Sequence, residues 1–373
     1  MVAHITRISM RQNILFICVL ILLPLPSYAK EILRIFTWDG YVTSQDLITV
    51  NKQLKQQGYQ IEAQVINLLA SGPEQMFNVL RAGKTDISFL TLNYIKMQEE
   101  KTSKLLQVIN TQSPRMPNYK NLKTELTQIP MGMSDKGMVY IPFGGGAYGI
   151  WANMNKLNKE ELPISISDLW NEEWKGKLSL AKGQIQPNIA LVMQSLDKPP
   201  FYIDDLIKAG KRREAITFVK NSAQKQTNLL YQQVRSFWDG TPNYDQELLL
   251  TSSYGVEIAE QNAQGGKWEY VYFDEGSTVW LDTINFAKHL SGTKLEAAEI
   301  VANYFIGKTV QTRLVNELGM VSTTNLVDNN PLLDNDPDFF SKQMFWQPYD
   351  KTADNIMDNM SDTAMEAYEH KAL

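Results

Sequence analysis

Leu33-Arg34-Ile35-Phe36-Thr37-Trp38-Asp39-Gly40-Tyr41 reads as a buried strand that ends in an aromatic–carboxylate pair, and its surroundings decide the fold. After the strand Ile32–Trp38, Thr43 or Ser44 opens a helix with Leu47, Val50 and Leu54 on one face and Gly58 past its end. A strand over 61–66 follows. Ser71-Gly72-Pro73 then starts a second helix that Gly83 stops, and Asp86-Ile87-Ser88-Phe89-Leu90 is a third strand ahead of a helix from Tyr94. This β-α-β-α-β order predicts a parallel, doubly wound sheet, in which the carboxyl end of a strand is the usual place for a ligand. Trp38 beside Asp39 suits an organic cation, which the ring face and the carboxylate both attract. Taken alone, the same two residues read more readily as core and turn.

From Val139-Tyr140-Ile141-Pro142-Phe143 the pattern changes. A glycine-rich connection, Gly144-Gly145-Gly146, leads into a strand over 147–152. A short helix begins at Ser167-Asp168-Leu169-Trp170, strands are expected at 178–181, 248–252 and 270–273, and helices at 204–220 and 255–264. Single cores seldom grow past about 250–300 residues, so two domains are expected. The chain should cross between them near 140 and again near 275–285. That places 30–140 plus 282–327 in lobe 1 and 141–281 plus 328–373 in lobe 2, with the ligand between two hinged α/β domains.

Residues 1–29 have the three parts of a secretory signal: Arg7 and Arg11, an apolar stretch from Ile14 to Leu23, and Ser27-Tyr28-Ala29 before the expected cut at Lys30. The stretch is shorter than the roughly 20 apolar residues that span a bilayer, so periplasmic export without membrane insertion is expected. The single cysteine, Cys18, lies in that leader, so the mature chain has no thiol to pair or lipidate. The chain's 36 Lys and Arg stand against 41 Asp and Glu, and without Arg7 and Arg11 the balance is 34 against 41. Mild acidity argues against nucleic acid and is compatible with a cationic ligand.

Catalysis has little to work with. Only His289 and His370 remain as neutral-pH bases, and His289 reads as a lone surface histidine. No His-x-x-x-His or Cys-x-x-Cys spacing occurs, and no cofactor is implied. The glycine run lacks the Lys-Ser/Thr of a phosphate loop, which leaves it as an interdomain connection.

These residues resemble the spermidine/putrescine-binding proteins of bacterial ABC importers, a branch of the bilobal periplasmic solute-binding fold. The landmarks are Phe36–Val42, Asp86-Ile87-Ser88-Phe89, Ile141-Pro142-Phe143 with Tyr148-Gly149-Ile150, Asp168-Leu169-Trp170 through Trp174-Lys175-Gly176, Val279-Trp280-Leu281-Asp282, Glu317-Leu318-Gly319-Met320 and Phe345-Trp346-Gln347. The resemblance implies a type II fold and an extended polyamine between aromatic walls, its ammonium ends held by carboxylates. Carried over by position, Trp38 is the first wall and Asp39 a polar neighbour. Thr91 and Asn93 line the groove, and Tyr254 takes the place of a wall Trp. Trp280 and Asp282 are the central aromatic and its amine-binding carboxylate, and Gln347 is a terminal-amine contact. Trp280 and Asp282, two apart on a strand, share a face.

The departures are Gly183 and Gln186, where two acidic residues are usual, and Met320, where an aromatic is common. Gln186 accepts hydrogen bonds from an ammonium but adds no charge; Asp239 or Glu257 are candidates to replace the missing charges. The resulting expectation is a monomeric periplasmic polyamine-binding protein, not an enzyme, for a spermidine-, norspermidine- or putrescine-like ligand. It would close on its ligand and present it to an ABC permease or to a signalling receptor that governs cyclic-di-GMP and biofilm formation. The alternative is an anion or ferric-ion binder using Tyr148, Tyr254 and the amides of the glycine run; a hydrolase is the third reading.

Overall fold

The computed structural model describes residues 30–97, 104–328, 331–336 and 338–372, so the expected leader lies outside the described residues. β1 (Glu31–Phe36) pairs in parallel with β2 (Ile61–Val65) and with β3 (Ile87–Thr91), as the β-α-β-α-β order predicts. The helix Ser44–Gln56 between β1 and β2 starts on a reciprocal cap: Thr43 Oγ1 accepts from the Asp46 amide (3.1 Å) and Asp46 Oδ2 accepts from the Thr43 amide (2.9 Å). Pro73 opens the second helix, Pro73–Arg81.

A two-residue hairpin, β4 (Met133–Ser134) with β5 (Gly137–Met138), precedes β6 (Ile141–Asn153), a strand of 13 residues that both lobes share. β7 (Leu178–Ala181), β8 (Val234–Trp238), β9 (Leu250–Ser253) and β10 (Trp268–Tyr270) follow, then β11 (Thr278–Phe286) and β12 (Val321–Ser322). The sheet order is β2-β1-β3-β11-β6-β9-β7-β8, with β10 and β12 also paired to β6. β11 runs antiparallel between β3 and the first half of β6, while the second half of β6 pairs with β9.

Two faces of the first half-sheet carry separate cores. Leu33, Ile35, Phe89, Phe143 and Phe286 pack on one face, and Phe36, Phe77, Leu90, Val279 and Leu281 on the other. The second lobe has its own core of Ile150, Leu178, Leu180, Trp174 and Leu230, completed by Met357 and Met360 of the C-terminal helix Lys351–Ala372.

Four local expectations change. The glycine run is no connection but the middle of β6, because side chains from distant elements lie across it. A Cβ on Gly146 would stand 2.7 Å from the Trp280 ring, one on Gly145 3.1 Å from Phe340, and one on Gly144 2.6 Å from Met320. The long helix expected over 204–220 is split into Tyr202–Lys208 and Arg212–Phe218 by Gly210, whose φ of 73° no helix allows. The strand expected at 270–273 ends at Tyr270, where its pairing with Trp151 of β6 stops. His289 is not alone: its Nε2 lies 2.8 Å from the buried Asp86 carboxylate.

Candidate functional site

The carboxyl end of β3 meets the middle of β11 at Asp282, beside the end of β1. Its Cα partners are Thr91 on β3 and Gly144 on β6, and a bulge follows between Asp282 and Thr283. The chain turns after β1 at Gly40 (φ 74°) and returns Tyr41 beneath the strand ends, where its ring packs on Phe143 (5.2 Å) and Phe89 (6.1 Å). The Tyr41 hydroxyl donates to Asp282 Oδ2. Asp282 Oδ1 is buried and has no hydrogen-bond partner among the described residues. Burial pushes the Asp282 carboxyl up to about 6, an effect that the Thr91 and Tyr41 hydroxyls partly offset. Burial and the nearby Asp282 charge in turn push the Tyr94 hydroxyl up to about 12.

Aromatic side chains from both lobes pack along this part of the sheet. Trp280, 6% exposed, precedes Asp282 on the same face of β11, and Trp38 packs between the two cores of the first lobe. From the second lobe Tyr254 contacts Tyr148 (5.3 Å between ring centres), Trp346 (5.7 Å) and Trp238 (6.5 Å). Tyr254 and Trp346 also pack against the first lobe's core, so the two walls meet in this structure. Tyr148 is fixed from below: its hydroxyl lies 2.7 Å from Asn188 Oδ1 and 2.8 Å from Ser252 Oγ. Burial raises the Tyr148 and Tyr254 hydroxyls, which keeps both protonated at neutral pH in the free protein.

The structure thus pairs Asp282 with Thr91 and sets Trp280 two residues before it, while Trp38 and Tyr254 pack against the core that contains Trp280. Asn93 borders it, with Nδ2 donating to the Gln347 carbonyl (3.2 Å) and Oδ1 buried without a donor among the described residues. Gln347 lies at the edge, and its Oε1 accepts from the Lys208 ammonium. Asp39 is exposed and accepts from the Gly40 amide (3.0 Å), a turn interaction. Gln186 is half-buried in the first turn of the helix Ile185–Gln194.

Tyr41, Tyr94, Tyr148, Trp346 and Lys208 join the site without having been singled out as polyamine contacts. Tyr41, Tyr148 and Trp346 lie inside the landmark stretches, so the aromatics of those stretches are the available signal. The glycine run offers no nest of free amides, since it lies between β11 and β12 in the sheet. Among the described residues no group of three or more His, Cys, Asp or Glu is arranged to hold a metal ion, and no helix is long and apolar enough to cross a membrane.

Residues 96–348 match the family model of the bacterial extracellular solute-binding proteins. No curated protein matches the chain. Among solved structures it is similar to the spermidine/putrescine ABC transporter substrate-binding protein PotD of Streptococcus pneumoniae, with a TM-score of 0.71 and 17% identity over 91% of this chain and 99% of that one. The Tp0655 (TpPotD) lipoprotein of Treponema pallidum gives 0.65 and 14% over 90% and 99%. Iron-bound HitA of Pseudomonas aeruginosa gives 0.52 and 13% over 92% and 100%. Likeness at these identities carries the fold, a type II periplasmic binding protein of two hinged α/β lobes, and leaves the ligand to the residues of the cleft.

Proposed function

The chain belongs to the bacterial extracellular solute-binding proteins, and on that premise we propose that it binds a short polyamine of the putrescine, spermidine or norspermidine kind in the periplasm, without turnover. One observation carries the reading: a buried carboxylate, Asp282, with one oxygen held by Tyr41 and the other lacking a donor among the described residues, walled by Trp280 and Trp38 on one side and Tyr254, Tyr148 and Trp346 on the other. Methylenes need flat apolar walls, an ammonium near a ring face gains about 0.5–2 kcal/mol, and a desolvated ammonium needs a carboxylate beside it. An anion would meet the Asp282 charge and raised, protonated tyrosines.

We place the hinge at Tyr148–Gly149 of β6 and at 271–277, which assigns 141–147 and 278–281 to the first lobe and not, as expected from the sequence, to the second. Ala147 belongs to a first-lobe core and Ile150 to the second; Phe273 and Val279 divide in the same way. Closure about these points would bring the two aromatic walls onto the ligand, and a membrane partner, an ABC permease or the periplasmic domain of a signalling receptor, would read the closed monomer. A thermal-shift screen of the protein against putrescine, spermidine, norspermidine, phosphate, ferric ion and amino acids tests the proposal, since a tight ligand raises the melting temperature by mass action. The amines should raise it and Asp282→Asn should abolish the shift. A shift from phosphate or iron with none from amines would overturn the reading.

A further inference from the structure

We infer that Glu257 is the cleft's second carboxylate and that it receives the ligand's other ammonium from the opposite lobe, so that a doubly charged ligand ties the two lobes together. This rests on the polyamine reading above.

Glu257 stands in the first turn of the helix Val256–Ala263, three residues after the wall residue Tyr254. Its Oε2 accepts from Ser253 Oγ (2.8 Å), and Ser253 Oγ itself accepts from the Gly255 amide (2.9 Å). One carboxylate oxygen is thereby tethered beside the aromatic wall, while no cation among the described residues pairs with the other. The helix start faces the first lobe. Gly255 (φ 98°) opens it against Gly319, the residue that ends the first-lobe helix Lys308–Leu318, and a Cβ on Gly319 would lie 3.0 Å from the Gly255 carbonyl oxygen.

The reach of the Glu257 charge agrees with that placement. It raises the Tyr254, Tyr148 and Tyr244 hydroxyls on its own side and the Tyr41 hydroxyl across the cleft, the group that donates to Asp282. Two carboxylates on different lobes therefore act on one tyrosine. An acidic residue in a first turn is also favoured by the helix dipole, but that preference requires no ligand and would not distinguish amines by charge.

Charge counting gives the test. Titration calorimetry compares putrescine with N-acetylputrescine, which keeps the chain and one ammonium and loses the other charge. The wild type should prefer putrescine by about tenfold or more, the scale of one charge-assisted pair. Glu257→Gln, which can keep the Ser253 bond, should lose most of that preference while N-acetylputrescine binding changes by less than about twofold, and Glu257→Asp should retain it, since only charge is at stake. An undiminished preference in Glu257→Gln, or an equal loss in Glu257→Asp, overturns the assignment. Asp282→Asn separates this from the underlying reading: it should weaken both amines, and if it weakens neither the polyamine reading itself fails whatever Glu257 does.

Discussion

Each lobe buries an aspartate away from the cleft carboxylates, and the two are treated in opposite ways. Asp86, at the foot of β3 in the first lobe, is fully buried and over-satisfied. Its Oδ2 accepts from the Arg34 amide (2.7 Å) and Nε (2.9 Å) with Lys294 at 3.1 Å, and its Oδ1 lies 2.8 Å from both Arg34 Nη2 and His289 Nε2. Burial alone would raise its pKa, but these partners hold it well below the ordinary carboxylate range. Asp204, in the second-lobe helix Tyr202–Lys208, is 1% exposed, and neither oxygen has a hydrogen-bond partner among the described residues. Burial, with the Asp354 charge nearby and Lys208 the opposing cation, pushes it up to about 7. Asp282 stands between them, half-satisfied. A buried carboxylate with every lone pair engaged is structure, one left half-engaged among aromatic rings is fit to bind a cation, and one left unengaged stores a proton.

The largest break in that comparison is at Asp86. Replacing it with Ala leaves Arg34, partly exposed, and Lys294 without their shared anion and should cost about 2–3 kcal/mol, toward the low end for a broken buried pair because solvent reaches the guanidinium. Urea unfolding at pH 7 measures it, and a loss below about 1 kcal/mol would show the network to be ornamental. The sign with pH follows from the depressed pKa. Asp86 contributes its stability above the ordinary carboxylate range and loses it as pH falls below about 4, so acid unfolding of the wild type should be steeper than that of the variant.

The site effect comes next. On the proposed reading Asp282 holds an ammonium only when ionised, so putrescine affinity should fall by up to about tenfold per pH unit once pH drops through 6. Asp282→Asn should flatten that profile along with abolishing tight binding. A profile unchanged between pH 7.5 and 5 in the wild type would place the binding charge elsewhere.

How much of this the sequence disclosed depends on range. The opening β-α-β-α-β unit was legible because its signals are local: Thr43 and Asp46 cap one another three residues apart, Pro73 opens a helix, and apolar residues alternate along β1. Trp280 and Asp282 were legible as a pair because a strand repeats every two residues. Tyr41 was not, since its role lies in a bond to a residue 241 positions away. Gly144-Gly145-Gly146 misled for the same reason: what fixes the run as strand is Trp280, Phe340 and Met320 crossing it, and a bare glycine run carries no trace of them. Glu257, the proposed second charge, was visible only as a candidate until the fold set the start of its helix against the other lobe.

A smaller effect with the opposite sign belongs to Asp204. Its folded pKa of about 7 lies above the unfolded value, so the folded protein binds more protons between roughly pH 4 and 7 and its stability rises as pH falls through that window. Asp354, raised by burial and by Asp358 to about 6, and Asp282 add in the same direction. The free protein should therefore be most stable near pH 5, between this gain and the loss at Asp86. Asp204→Asn should stabilise it at pH 8 by about 1–2 kcal/mol and remove most of the rise on acidification, read as melting temperature against pH. A melting temperature that instead falls steadily from pH 8 to 5 would mean that Asp204 is solvated or paired.

The smallest change sharpens the comparison most, because Lys208 touches both sides of it. Its ammonium donates to Gln347 Oε1 at the edge of the cleft and is the nearby cation that holds the Asp204 pKa down. Lys208→Met removes a like charge that faces any third ammonium and frees the Gln347 oxygen to accept one. Spermidine should then gain about two- to threefold in affinity relative to putrescine, the size of one exposed polar contact. The same variant removes the cation that opposes burial at Asp204, so its pKa should climb further and the acid-side gain in stability should begin at higher pH. Both shifts come from one charge. If the melting profile moves and the spermidine ratio does not, Lys208 belongs to the second lobe's proton store alone, and Gln347 lies beyond the reach of the ligand.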